Sequence, residues 1–107
     1  MSDEIVVVVG LQTKPGDEAA FETELRKLVA TTHSEDGCLL FAIHRHAEDA
    51  TQYSAVERWT SRADLDNHFA SPHVREYFEA TKDLLAEPPT INVYVACPEG
   101  DPDKGAL

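Results

Sequence analysis

The chain has 107 residues, enough for one domain with a single hydrophobic core and too few for two. It carries 9 basic and 20 acidic residues, and the formal net charge of -11 argues against nucleic acid and membrane partners. The apolar run at residues 5–9 is too short for a signal peptide or a membrane span, so a cytoplasmic protein is expected.

The first two elements are a strand and a helix. Residues 5–11 are β-branched and apolar without helical periodicity, which predicts a central strand with both faces buried. A Pro-Gly pair at residues 15–16 ends the strand and precedes a helix. Apolar residues then recur at helical spacing: Phe21, Leu25, Leu28 and Val29. This helix is predicted to end at the turn 34–37, where Gly37 suits a positive φ.

Two more strands and two helices follow. Residues 38–45 and 53–59 are predicted as strands, joined by the polar hairpin loop 47–50. Ser61 is a good N-cap for a short second helix. The Ser-Pro pair at residues 71–72 restarts the chain as a third helix, since proline is favoured at the first helical position.

The C-terminal part completes the predicted fold. Two prolines at residues 88–89 are expected to end the third helix, and residues 91–97 form the last strand. We assign residues 1–97 to one domain and residues 98–107 to a tail. This order predicts an α+β fold of the ferredoxin-like, split β-α-β-β-α-β kind, with a four-stranded antiparallel sheet and helices on one face. The other face of the first strand is too apolar for water, so we expect a homodimer.

Cofactor motifs are missing from the sequence. It contains no glycine-rich dinucleotide fingerprint, phosphate loop or His-Glu-x-x-His motif, so we expect no metal and no cofactor. Cys38 and Cys97 are far apart and lack metal-ligand spacing. We expect two free and largely buried thiols.

Trp59 and His68 form a candidate functional pair. Trp59 ends the third strand, and His68 lies nine residues later on the apolar side of the second helix, beside Leu65 and Phe69. An imidazole in apolar surroundings, with an ordinary pKa of about 6.5, suits a proton acceptor. The same pattern also fits a buried histidine bonded to a backbone carbonyl, and a lone tryptophan is usually a core residue.

Two further polar residues have open interpretations. Glu57 shares a strand face with Trp59. If that face lies under the helices, the carboxylate either pairs with a cation or titrates unusually; otherwise it is solvated at an edge. His73 lies in the first turn of the third helix, one turn before Tyr77, where it fits either a pocket mouth or the surface.

Several segments together resemble the antibiotic biosynthesis monooxygenase family, in order over residues 6–95. They are Lys14-Pro15-Gly16, Asp36-Gly37-Cys38-Leu39, Glu57-Arg58-Trp59, His68, Ser71-Pro72-His73 and Leu85-Ala86-Glu87-Pro88-Pro89. The resemblance implies a dimeric α+β barrel, in which two ferredoxin-like subunits pack sheet to sheet. It also implies a pocket between sheet and helices in each subunit.

The resemblance further implies an activity. Several family members oxidise phenols, anthrones or quinols with dioxygen and without metal or flavin. We therefore expect a cofactor-independent monooxygenase whose partners are dioxygen and a small aromatic, phenolic or quinol substrate. In it, His68 would be the base or proton relay, and Trp59 the aromatic wall and indole donor. The expected substrate-binding residues are Phe41, Glu57, His73, Tyr77 and Phe78.

Other activities remain open at this stage. Haem-degrading relatives use an asparagine on the first strand, and residues 5–11 contain none, which argues against haem degradation. A second hypothesis is an isomerase or lyase acting on a small hydroxylated carbonyl compound through His68 and Glu57. A third is a non-catalytic dimeric ligand-binding protein. Oxygen consumption separates the first hypothesis from the others, and basic side chains in the cavity would favour the second.

Overall fold

The structure, a computed structural model, describes residues 3–107. Its elements, in chain order, are β1 (Ile5–Gln12), α1 (Glu18–Thr32), β2 (Cys38–Arg45), β3 (Gln52–Trp59), α2 (Arg62–Ala70), α3 (Pro72–Thr81) and β4 (Thr90–Tyr94). The predicted α+β, ferredoxin-like fold is confirmed. No helix within residues 3–107 is long and apolar enough to cross a membrane.

The sheet has the strand order β2-β3-β1-β4, and every neighbouring pair is antiparallel. β1 therefore occupies the predicted central position. Its alternate residues Ile5, Val7, Val9 and Leu11 are buried against the helices, whereas the residues between them are only half-buried. In the single chain one face of β1 is thus buried and the other is not, because the helices cover only one side of the sheet.

α3 ends at Thr81, well before the two prolines that were expected to end it. The following segment pairs with the chain that leaves β1. The Lys14 N–H donates to the Leu84 carbonyl over 2.9 Å, and the Ala86 N–H donates to the Gln12 carbonyl over 2.8 Å. Because these hydrogen bonds pair the backbone of residues 84–86 with that of residues 12–14, the segment cannot continue the helix.

β4 is also shorter than predicted, because it ends at Tyr94 rather than at residue 97. The chain beyond it leaves the sheet, and Val95 is 75% exposed. Both cysteines are free, as expected, but only Cys38 is half-buried. The expectation of a buried Cys97 was wrong, since this residue lies past the end of the strand and is exposed.

Gly37 has a different role from the one predicted. Within residues 3–107 a positive φ occurs only at Gly16 and Gly100, so Gly37 does not need one. A Cβ at Gly37 would lie 2.4 Å from the Cβ of Asp64 on α2, so only glycine fits there. The Gly37 carbonyl also accepts the Thr60 N–H over 3.0 Å. This close approach brings the turn at residues 33–37 against α2 and positions the site described next.

Candidate active site

A small cavity of about 40 Å³ lies between the sheet and the helices. Its walls are mostly apolar. The side chains that line it include Phe41 on β2, Ala55 and Glu57 on β3, His68 on α2, and Tyr77 and Phe78 on α3. The cavity reaches the surface beside Phe78 and Ile91, which are 38% and 43% exposed.

Glu57 lies on the helix-covered face of β3, and only 3% of it is exposed. Its Oε1 accepts a hydrogen bond from Trp59 Nε1 over 2.8 Å, and within residues 3–107 it has no ion pair with a basic side chain. Burial raises the pKa of Glu57 from 4.5 to about 7; the Trp59 hydrogen bond opposes this shift, and the charge of Glu35 adds to it. Glu57 is therefore a carboxyl group that holds its proton close to neutral pH.

Trp59 is fully buried and packs behind the cavity rather than lining it. Its ring centroid lies 4.6 Å from that of His68, with a 41° angle between the planes. The indole thus fixes two side chains that do line the cavity, Glu57 by a hydrogen bond and His68 by ring contact.

His68 is 3% exposed and is surrounded by aromatic rings, including Phe41 at 5.8 Å and Phe69 at 5.5 Å between centroids. Its Nδ1 lies 2.6 Å from Glu35 Oε2. Because an ionised carboxylate only accepts hydrogen bonds, Nδ1 is the donor, and in the neutral imidazole Nε2 then carries the free lone pair. Nε2 has no hydrogen-bond partner among the described residues. Burial lowers the pKa of His68, and Glu35 opposes that shift.

Glu35 is the site residue that the sequence did not reveal. It lies in the turn between α1 and β2, and its Oε2 also lies 3.0 Å from Nε2 of His73. His73, which was expected to contact substrate, lies behind His68 and does not line the cavity. The only sequence signal for Glu35 was its position three residues before Cys38. Because Cys38 pairs with Trp59 in the sheet, Glu35 comes close to Trp59 and His68.

Phe41 and Tyr77 are buried walls of the cavity, at 5% and 6% exposure, whereas Phe78 stands at its mouth. The Tyr77 hydroxyl is buried and has no hydrogen-bond partner among residues 3–107. Burial raises the pKa of Tyr77, and the nearby Thr81 side chain opposes that shift, so this hydroxyl keeps its proton. A buried donor without a partner is costly, and a ligand oxygen would satisfy it.

Among residues 3–107, one group of side chains could hold a metal ion. The ligand atoms of Glu35, His68 and His73 all lie within 4.8 Å of one another. Together they offer one carboxylate oxygen and two imidazole nitrogens, and only His68 of the three also lines the cavity.

Comparison with known proteins agrees with this architecture. Residues 4–80 match the family model described as antibiotic biosynthesis monooxygenase. The chain belongs to this family. Four site residues fall inside the matched range: Glu35, Glu57, His68 and His73.

Three relatives illustrate the family's range. An uncharacterized protein of Synechocystis is 32% identical over 92 residues, 86% of this chain, and the chain spans 63% of that protein's length. The Mycobacterium tuberculosis protein Rv0793, whose name describes a candidate monooxygenase, is 29% identical over 93 residues, 87% of this chain and 91% of the relative. Its solved structure superposes with a TM-score of 0.84 at 28% identity, covering 92% of this chain and 99% of that one.

The third relative is YgiN of Escherichia coli, which is named a probable quinol monooxygenase. It is 27% identical over 93 residues, covering 78% of this chain and 89% of the relative. Two of the three relatives thus carry monooxygenase names, and the third carries no activity in its name.

Proposed function

We propose that the chain is a monooxygenase that oxidises a small aromatic, phenolic or quinol substrate with dioxygen and without a cofactor. The observation that carries the proposal is the cavity, whose otherwise apolar walls include the carboxyl of Glu57 and the imidazole of His68, with one ring nitrogen unpartnered among residues 3–107. The names of Rv0793 and YgiN support the same reaction class.

The chemistry needs no outside reductant. A base removes a phenolic or activated C–H proton, and the resulting anion passes electrons to dioxygen. For a phenol that becomes a quinone, one ring C–H is replaced by C=O, and the phenolic C–OH also becomes C=O. One oxygen atom enters the product, the other leaves as water, and the substrate supplies all four electrons. The protein needs only to position the reactants, move protons and exclude bulk water.

The residues divide these tasks between them. His68 Nε2 accepts the substrate proton, because Glu35 holds the opposite nitrogen as a donor. Glu57, still protonated near neutral pH, returns a proton to the reduced oxygen. The unpartnered Tyr77 hydroxyl donates to the substrate oxygen and orients the ring.

The mouth of the cavity must open for substrate to enter. A volume of about 40 Å³ has room for about three water molecules at 10–15 Å³ each, too little for an aromatic ring. Phe78 and Ile91 are the exposed side chains at the mouth, and movement of the Phe78 ring would widen the entrance. The closed form would then separate the reaction from bulk water.

The cavity wall favours this proposal over the isomerase alternative. A phosphorylated or strongly polar metabolite needs basic side chains for binding. The described residues that line the cavity include no lysine or arginine. Apolar walls fit an aromatic substrate instead.

Oxygen uptake tests the proposal directly. Protein purified in the presence of a chelator is expected to consume dioxygen with at least one member of a panel of quinols, anthrones and naphthols, with product formed in a one-to-one ratio. An oxygen electrode and mass spectrometry with ¹⁸O₂ measure the two quantities. If label never enters the product while substrate binds, the chain is not a monooxygenase; conversion of the bound substrate would then indicate the isomerase or lyase, and an unchanged substrate a binding protein.

We also propose that the chain is a homodimer joined through the uncovered face of the sheet. That face carries half-buried apolar residues of the inner strands, Val6, Val8 and Val56, and the 51% exposed Tyr94. Contiguous apolar surface of this kind is costly in water. Sedimentation over a dilution series should give twice the chain mass at micromolar concentration, and a monomer there would contradict the proposal.

A further inference from the structure

The Glu35, His68 and His73 side chains converge on one point from three separate elements. Glu35 comes from the turn after α1, His68 from α2 and His73 from the first turn of α3. Glu35 Oε2 lies 2.6 Å from His68 Nδ1 and 3.0 Å from His73 Nε2. The close approach of Gly37 to α2 fixes the turn, so the cluster is held by the fold.

The ligand set suits a divalent transition-metal ion. Two imidazoles and one carboxylate form a common protein site for Zn²⁺ and Fe²⁺. Bonds of 2.0–2.2 Å place neighbouring ligand atoms about 2.8–3.1 Å apart in octahedral geometry and about 3.3–3.6 Å apart in tetrahedral geometry. The Glu35–His73 separation is already 3.0 Å, and the Glu35–His68 separation of 2.6 Å needs to widen by about 1 Å or less. The two imidazole nitrogens lie within 4.8 Å of each other and need to approach by about 2 Å or less.

The charge at this point also favours a cation. In the described part of the chain, the ion-pair partners of Glu35 are the two imidazoles, and no lysine or arginine lies within 4.0 Å of its carboxylate. When both imidazoles are neutral, no positive charge offsets the carboxylate. The Glu35 and His73 side chains are 19% and 22% exposed, so an ion can arrive from solvent without passing through the cavity.

We propose that Glu35, His68 and His73 bind a divalent transition-metal ion, and that the bound ion switches off the proton acceptor at His68. Coordination takes the lone pair of Nδ1, so the neutral imidazole must carry its proton on Nε2. Nε2, which has no hydrogen-bond partner among the described residues, then donates and no longer accepts. The claim that the ion switches off the proton acceptor rests on the proposed function, whereas the claim that the ion binds does not.

Zn²⁺ titration of chelator-treated protein tests whether Glu35, His68 and His73 bind the ion. One Zn²⁺ per chain is expected by calorimetry, with a matching change in fluorescence, since the ring centroid of the single tryptophan, Trp59, lies 4.6 Å from that of His68. Glu35→Gln and His73→Ala should each weaken binding at least tenfold. The matched control His46→Ala removes an exposed imidazole in the β2–β3 loop and should bind as the native protein does.

Nuclear magnetic resonance of ¹⁵N-labelled histidine tests the switch itself and needs no activity. The His68 Nε2 signal should change from the range of an unprotonated to that of a protonated ring nitrogen when Zn²⁺ is added. No binding at millimolar Zn²⁺, or undiminished binding by folded Glu35→Gln and His73→Ala proteins, overturns the site. An Nε2 signal that stays unprotonated in the zinc-bound protein overturns the switch.

Oxygen uptake then connects the site with the reaction. A Zn²⁺ concentration just sufficient to saturate the native site should abolish uptake by the native protein, whereas uptake by His73→Ala, whatever its own level, should stay close to its zinc-free value. Activation by Zn²⁺ or Fe²⁺ would overturn the inhibitory role. If no protein consumes oxygen, the proposed function fails, while the zinc titration and the nitrogen signals still decide the site.

Discussion

Replacing His68 with glutamine is expected to lower oxygen uptake by about 10²- to 10⁴-fold, the range that general acid–base groups contribute. The glutamine amide can still donate to Glu35, as Nδ1 does over 2.6 Å in the native protein, so the side chain keeps its hydrogen bond. It offers no nitrogen lone pair that could take a proton from a phenol. The loss should therefore appear in kcat, measured as initial rates with the best substrate of the native protein.

The control for this experiment is His46→Ala. The His46 imidazole is exposed and its Nδ1 accepts only backbone N–H groups of the same loop, from Glu48 and Asp49. Its removal should leave the rate unchanged. Circular dichroism and thermal melting establish that both variants fold. A folded His68→Gln protein with the native rate would show that His68 is not the base.

Periodicity, together with turn and capping residues, was enough to predict the layout of the fold. The alternation along β3 placed Glu57 and Trp59 on one face, and the structure buries both under the helices. Helical spacing likewise identified Phe21, Leu25 and Leu28 as the buried side of α1. These predictions succeed because a two-residue or 3.6-residue period follows directly from backbone geometry.

The ends of elements were harder to predict because they depend on distant partners. Nothing near Thr81 marks the end of α3; the helix stops because residues 84–86 pair with the chain after β1. Gly37 was interpreted through its backbone freedom, whereas its real constraint is the Asp64 side chain from another element.

Dependence on distant partners also explains why the sequence did not reveal Glu35 as a site residue. Glu35 looks like an ordinary polar turn residue, and only the register that pairs Cys38 with Trp59 brings it beside His68. Trp59 shows the reverse case. Its spacing from His68 predicted proximity correctly, but the ring supports Glu57 and His68 from behind and does not line the cavity. Sequence spacing predicts that two residues meet, not which of them faces a ligand.

The largest expected effect on stability comes from Glu57, because its pKa is about 7 in the folded chain and 4.5 ordinarily. As pH rises above 4.5 the unfolded chain ionises first, so the stabilising contribution is complete below 4.5 and is lost as pH rises through 7. The shift corresponds to about 3 kcal/mol at 1.36 kcal/mol for each pKa unit. The charge of Glu35 adds to the shift, and the Trp59 hydrogen bond opposes it.

Glu57→Gln removes this titration while keeping an oxygen that accepts from Trp59 Nε1. Relative to the native protein, the variant should gain about 3 kcal/mol of unfolding free energy between pH 4.5 and pH 8, since other titrating groups cancel in the difference. Urea unfolding at a series of pH values, with chelator present, measures it. For Glu48→Gln, which changes an exposed loop carboxylate, the difference in unfolding free energy from the native protein should not vary with pH. A flat difference for Glu57→Gln as well would mean that Glu57 ionises normally in the folded chain and cannot return a proton to reduced oxygen at neutral pH.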